Sequence, residues 1–148
     1  MSWKKFLQDG KVHRHQTSVL ELGEIRRLVA RDLADAALKG LSEDRRFATA
    51  YNAALQTAKM SIACAGYRVA SVPGHHRLTF DGAKLALGPS AAQLTDYFDA
   101  CRRKRNEIDY TGAAVATTTE ADELLLHARA FLTIVEAWIA KTHPALKP

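Results

Sequence analysis

A chain of 148 residues, 47% of them hydrophobic and 25% charged, has the size of one domain and enough apolar side chain for a core, so it is neither a disordered tail nor a string of domains. Its formal charge of +5 is a mild bias toward phosphates. The two cysteines lack a CxxC spacing, which argues against zinc and for buried free thiols of a reducing cytosol. No stretch is long and apolar enough to span a bilayer.

Residues 1–16 are polar and basic, with Trp3, Phe6 and Leu7 as isolated apolar points. They read as a poorly ordered arm or one short docked turn, and they lack the apolar run of a secretory signal. The expected location is the cytoplasm.

The first long helix is predicted to begin near Ser18, which has capping-box spacing to Glu21, and to bury Leu22, Ile25, Val29, Leu33 and Ala37 before stopping at Gly40. A second follows Ser42, burying Phe47, Tyr51, Ala54, Leu55, Ala58 and Ile62 and ending at Gly66. The segment "GYRVASVPG" reads as a turn and an extended connection, because Pro73 disfavours helix at Val72. "HHRLTFDGAKLAL" forms a shorter third helix, weakened by Gly82.

"GPSAAQL" is a break and restart, with Ser90 and Gln93 at capping-box spacing, so a fourth helix runs from about Ala91 into "CRRKRNEIDY". "TGAAVATTTEAD" is a loop within which Thr117 and Glu120 repeat the capping signature. A last helix carries Leu124, Leu125, Ala128, Phe131, Leu132, Val135 and Ile139 before Pro144. The sum is an all-α, single-domain bundle of about five helices: an arm at 1–16, the bundle at 17–143 and a tail at 144–148.

The basic cluster is the most informative stretch. If the fourth helix continues through Asp109, then Arg102, Arg105, Asn106 and Asp109 fall on one stripe. That stripe borders the apolar face of Leu94, Phe98, Cys101 and Ile108, while Arg103 and Lys104 point further toward water. A guanidinium beside a core needs a partner. Asp109 could be that partner, pinning the helix end, or the stripe could grip phosphate.

"RKRNEIDYTG" after a capped helix, with "AYNAALQTAKMSIACAGYR" and "PGHHRLTFDGAKLALG" upstream, resembles the HEPN superfamily over roughly residues 18–140. The resemblance implies a compact helical bundle of prokaryotic defence, toxin–antitoxin or RNA-processing systems, acting as a homodimer whose two motifs line one cleft. Active HEPN ribonucleases share an Arg-x(4–6)-His motif and cleave without metal: the 2′-OH of the RNA attacks its own phosphate, the Arg steadies charge and the His moves a proton. Arg105 would be that arginine and Asn106 its polar follower. The window where the histidine belongs holds Tyr110, Thr111 and Gly112 instead.

The missing histidine leaves enzymatic activity open. Tyr110 could stack on a base or bond a phosphate. His75, His76 and Arg77 open the third helix, where free N–H groups attract anions, and His76 or His75 could supply the proton transfer if that turn lies beside Arg105. The alternative is an ordinary helix start. Adjacent histidines point to different sides of a helix and so do not form a metal pair. Tyr51 and Asn52 could face the same cleft, and His127 reads as a helix-face histidine.

The expected catalytic set is therefore Arg105, Asn106, Tyr110 and His76. The expected nucleic-acid contacts are Arg102, Arg103, Lys104, Arg105, His75 and Arg77. Neither a cofactor nor a metal is called for, and no Glu-x-x-His pattern of a carboxylate-bridged metal site occurs. Two functions remain: an RNA- or nucleotide-binding domain that is a divergent metal-independent endoribonuclease, or a non-catalytic bundle that dimerises or holds a partner such as a nucleotidyltransferase.

Overall fold

The computed structural model describes residues 1–112 and 114–148. Six α-helices and a two-stranded hairpin form the fold: α1 (Trp3–Gln8), β1 (Val12–Arg14), α2 (Val19–Ala36), α3 (Glu43–Cys64), β2 (Tyr67–Val69), α4 (His75–Leu87), α5 (Ala92–Thr111) and α6 (Thr118–Thr142). The five long helices are those read from the sequence. The loop expected between the last two includes Ala113, which lies outside the described residues.

The N-terminal segment and the connection after Gly66 build something together. β1 and β2 pair antiparallel, with Val12 opposite Val69 and Arg14 opposite Tyr67. Three residues per strand are too few to stand alone. A small cluster of Phe6, Val12 and Leu78, with Trp3 and Tyr67 packed against it, therefore holds the hairpin to α4. Residues 3–14 are thus a short helix and a strand, where a poorly ordered arm or one short docked turn was expected.

α3 is the centre of the bundle and touches α2, α4, α5 and α6. Its Ala-rich face explains the closeness: Ala50, Ala54 and Ala58 are fully buried and let neighbouring helices approach. Gly82 serves the same purpose on α4, because a Cβ there would sit 2.9 Å from the Ile62 side chain of α3. Aromatic rings join the other helices. Phe98 of α5 lies 5.7 Å from Phe80 of α4 and 5.1 Å from Phe131 of α6, centroid to centroid. Cys64 and Cys101 are buried free thiols, and burial pushes each up to about 11.

Capping follows the sequence at two of three expected places. Thr117 and Glu120 form a complete capping box on α6. Ser18 caps α2 through the Glu21 N–H, but the Glu21 carboxylate turns away to His15 and Thr17. The Ser90–Gln93 box does not form: a 3-10 turn over Pro89–Ala91 intervenes, and α5 starts after Ala91 with no side-chain cap. Thr117→Ala should lower unfolding stability by about 1 kcal/mol in chemical denaturation, with an unchanged denaturant slope.

Arg26 of α2 clamps Glu136 of α6 with two 2.9 Å bonds and donates a third, at 3.0 Å, to the Leu146 carbonyl. That clamp fixes the C-terminal tail, which makes a 3-10 turn at Pro144–Leu146.

Candidate phosphate-binding site

Three helices meet where α4 begins. Gly74 precedes it with φ +80°, a left-handed conformation that costs glycine little, and turns the chain so that His75 and His76 open the helix. On α3, Tyr51 is 1% exposed. Its hydroxyl lies 3.1 Å from His76 Nδ1, and its ring packs on Phe80 at 5.9 Å. Burial raises the Tyr51 pKa above the usual phenol range, opposed by the charges of Arg102 and Arg105. Those guanidiniums belong to α5 and lie close enough to act electrostatically on Tyr51.

His76 feels the same pair. Burial first, then the charges of His75, Arg105, Lys59 and Arg102, lower its pKa to about 4, so the imidazole is neutral at pH 7. A phenol that keeps its proton can donate to Nδ1, and in that tautomer the imidazole hydrogen is on Nε2. The cluster then offers donors only: two guanidiniums and an imidazole N–H. Such a set suits the oxygens of a phosphate.

Both arginines are partly occupied. Arg102 Nε donates to Asp99 at 3.1 Å, and Arg105 pairs with Asp109 one turn along. The Arg105–Asp109 pin and the basic site are thus the same residues. One donor is left over: Arg105 Nε is buried and has no hydrogen-bond partner among the described residues. An unmet buried donor of a charged group costs about 1–3 kcal/mol, which a ligand oxygen would recover.

The remaining sequence candidates are dispersed. Lys104 reaches Glu120 of α6 at 2.8 Å, and Arg103 is exposed. Asn106 is half-buried beside Arg105, and Arg77 is exposed. Tyr110 is 89% exposed and makes no ring or hydrogen-bond contact with the cluster. His75 is exposed, its ring edge-on to His76 at 4.6 Å. Asn52 turns to α2 and donates to the buried Asp32 at 2.6 Å, so the Tyr51–Asn52 pair splits between two interfaces. His127 sits against Tyr97 at 4.5 Å and 3.8 Å from a Glu123 oxygen.

Lys59 is the charged neighbour of His76 that sequence reasoning missed. It lies two turns beyond Tyr51 on α3, and that i, i+8 spacing was the available signal.

The sequence pattern of the family described as SAV_6107-like HEPN matches residues 36–136. This chain belongs to the HEPN superfamily. No curated protein and no solved structure shows a comparable match. The matched span runs from the end of α2 into α6 and contains Tyr51, His76, Arg102 and Arg105; it leaves out α1, β1 and most of α2. HEPN domains are typically ribonucleases or nucleotide-binding modules. Among the described residues, no helix of this HEPN domain is long and apolar enough to cross a membrane.

The low pKa of His76 has a consequence for stability. Unfolding restores an ordinary imidazole near 6.5, so between pH 6.5 and about 4 the unfolded chain binds the extra proton. Stability is therefore full above 6.5 and falls as pH drops toward 4, by roughly 1–2 kcal/mol after allowance for partial solvent exposure. Denaturation midpoints of the wild type and His76→Gln across this window should converge as pH falls.

Proposed function

We propose that this HEPN domain binds RNA through its backbone phosphates, with Arg105 and Arg102 as the charged clamp and His76, held by Tyr51, as the neutral donor. The observation that carries the reading is the unsatisfied, buried Nε of Arg105 beside a neutral His76. Once the Arg105–Asp109 pair opens, a phosphate oxygen would meet that donor, and the approaching negative charge would raise the pKa of His76 back toward neutrality. The superfamily supports a paired arrangement with two such clamps in one cleft, in a toxin–antitoxin or defence setting.

Cleavage is the second reading, and the position of His76 favours it. The motif histidine is absent after Arg105, but α4 supplies an imidazole to the same cluster. Cleavage uses the other tautomer, in which Nδ1–H donates to the Tyr51 hydroxyl oxygen and leaves Nε2 free to take the proton of a ribose 2′-OH as that oxygen bonds to the adjacent phosphorus. The 5′-oxygen of the next nucleotide would leave as its bond to phosphorus breaks, receiving the proton held on Nε2, and a 2′,3′-cyclic phosphate would remain. Of the expected set Arg105, Asn106, Tyr110 and His76, this reading gives proton transfer to His76 and leaves Tyr110, which stands in solvent, as a stacking surface.

The test is incubation of a mixed-sequence RNA in EDTA with wild type, Arg105→Ala, His76→Gln and Tyr110→Phe, with binding followed in parallel. Salt-dependent binding that weakens in Arg105→Ala supports the clamp. Cyclic-phosphate product lost in both Arg105→Ala and His76→Gln supports the ribonuclease. Binding that ignores both salt and Arg105 would overturn the phosphate reading and leave a partner-holding bundle, for example for a nucleotidyltransferase.

The internal acid should act as a competitor. Asp109→Asn removes the carboxylate that occupies Arg105, and RNA affinity should rise about three- to tenfold at low salt, measured by fluorescence anisotropy.

A further inference from the structure

On the other side of the opening turn of α4 lies a cavity of about 320 Å³. It is enclosed by the hairpin, the start of α2, the C-terminal half of α3 and the first residues of α4. His75 lines it, whereas its neighbour His76 joins the Tyr51 cluster, so adjacent histidines serve two different sites.

The lining has two characters. Ile25, Ile62, Ala63 and Val69 make an apolar floor, and Tyr67 stands beside it as an aromatic wall. That wall is rigid, since Trp3 stacks on the Tyr67 ring at 4.3 Å with the planes within 10°. Lys59 and Arg68 supply charge, and neither has an ion pair among the described residues. The one carboxylate, Glu21, is taken by His15 at 2.7 Å and Thr17 at 2.8 Å. Two cations therefore face one carboxylate that is already bonded. Both cations also reach solvent, and partial desolvation, then the charge of Arg68, lowers the Lys59 pKa.

We propose that this cavity binds a small aromatic monophosphate, its flat body on the Ile25–Ile62 floor against Tyr67 and its phosphate between Lys59 and Arg68. The volume is at the small end of ligand sites and admits one ring system with one phosphate, not a dinucleotide. A guanidinium fork and a mobile ammonium are a common pairing for phosphate oxygens. The walls contributed by His15, Glu21 and Ile25 lie outside residues 36–136, so the cavity does not belong to the matched span alone. The inference shares only Lys59, the charged neighbour of His76, with the Arg105 cluster and uses neither Arg102, Arg105 nor His76, so it stands apart from the RNA reading.

Two natural sources share this chemistry: a free mononucleotide and the phosphorylated end of an RNA. Calorimetric titration of the full chain with 1-naphthyl phosphate, AMP, inorganic phosphate and a short RNA with or without a 5′-phosphate separates them. Naphthyl phosphate and AMP should saturate one site, with inorganic phosphate at least about tenfold weaker because it lacks the apolar body. Lys59→Met and Arg68→Gln, checked for wild-type melting temperature, should each weaken AMP about tenfold or more. Arg105→Ala should leave AMP affinity within about twofold. An end-phosphate preference abolished by Lys59→Met supports the RNA end as source; AMP binding without that preference supports the free nucleotide. Absent saturation by both aromatic phosphates, inorganic phosphate binding equally well, or loss of AMP binding in Arg105→Ala but not in Lys59→Met would each overturn the proposal.

Discussion

Arg105→Ala should weaken RNA binding by about tenfold to a hundredfold at low salt, the largest functional effect expected of any single substitution in this HEPN domain. Its guanidinium, with that of Arg102, couples α5 to both Tyr51 and His76, and its buried Nε has no acceptor among the described residues. Two further readouts separate loss of a phosphate contact from loss of structure. The slope of log affinity against log salt should shrink by about 0.7–1, the equivalent of one phosphate. The His76 pKa, followed by NMR, should rise from about 4, because one of the positive charges that depress it has gone. Weaker binding with an unchanged salt slope and an unmoved His76 would place the phosphate elsewhere.

Phe98→Ala should cost about 3–5 kcal/mol of unfolding free energy, a large part of the stability of a domain this size. Phe98 is fully buried and packs between Phe80, Tyr97 and Phe131, so the cavity would open where α4, α5 and α6 meet. The effect should reach the site. Phe98 holds the helix that carries Arg102 and Arg105 against α4, whose first turn carries His76, and slack there separates them. Phe98→Leu, which keeps most of the volume, should lose about 1–1.5 kcal/mol and show a smaller upward drift of the His76 pKa. Denaturation curves and the same NMR titration read both effects. A Phe98→Leu protein with lowered stability and an unmoved His76 would mean that α4 and α5 are aligned by other contacts.

The pairings among charged groups explain why a basic stripe need not be strongly attractive to anions in the free protein. Arg102, Lys104 and Arg105 each have an acidic partner, at Asp99, Glu120 and Asp109 respectively. These are partly exposed pairs of modest strength, so an incoming phosphate can exchange with them. Binding of RNA would then appear as a redistribution of ion pairs, and Asp109→Asn isolates that competition.

The sequence by itself determined the five long helices, and for a local reason. Periodic apolar residues, Ser and Thr caps and glycine stops act over three or four residues, and α3 buries each of Phe47, Tyr51, Ala54, Leu55, Ala58 and Ile62 as its spacing requires. The Arg105–Asp109 pair was legible for the same reason, since i, i+4 neighbours meet on any helix. The Ser90–Gln93 box was misread because Gly88 and Pro89 favour a 3-10 turn that displaces the start of α5. The hairpin was not legible either: β1 and β2 are three residues each, with 52 residues between them, and no local period marks them. Only the tertiary structure decided which groups share a site. Tyr51, His76 and Arg105 lie on three helices, and no spacing rule links them. They meet because small residues let α4 approach α3 and because the Phe80–Phe98 contact fixes α5 beside α4. The same packing sends His75 to the cavity and His76 to the arginines, a division that adjacency in sequence allows and that only the surrounding helices impose.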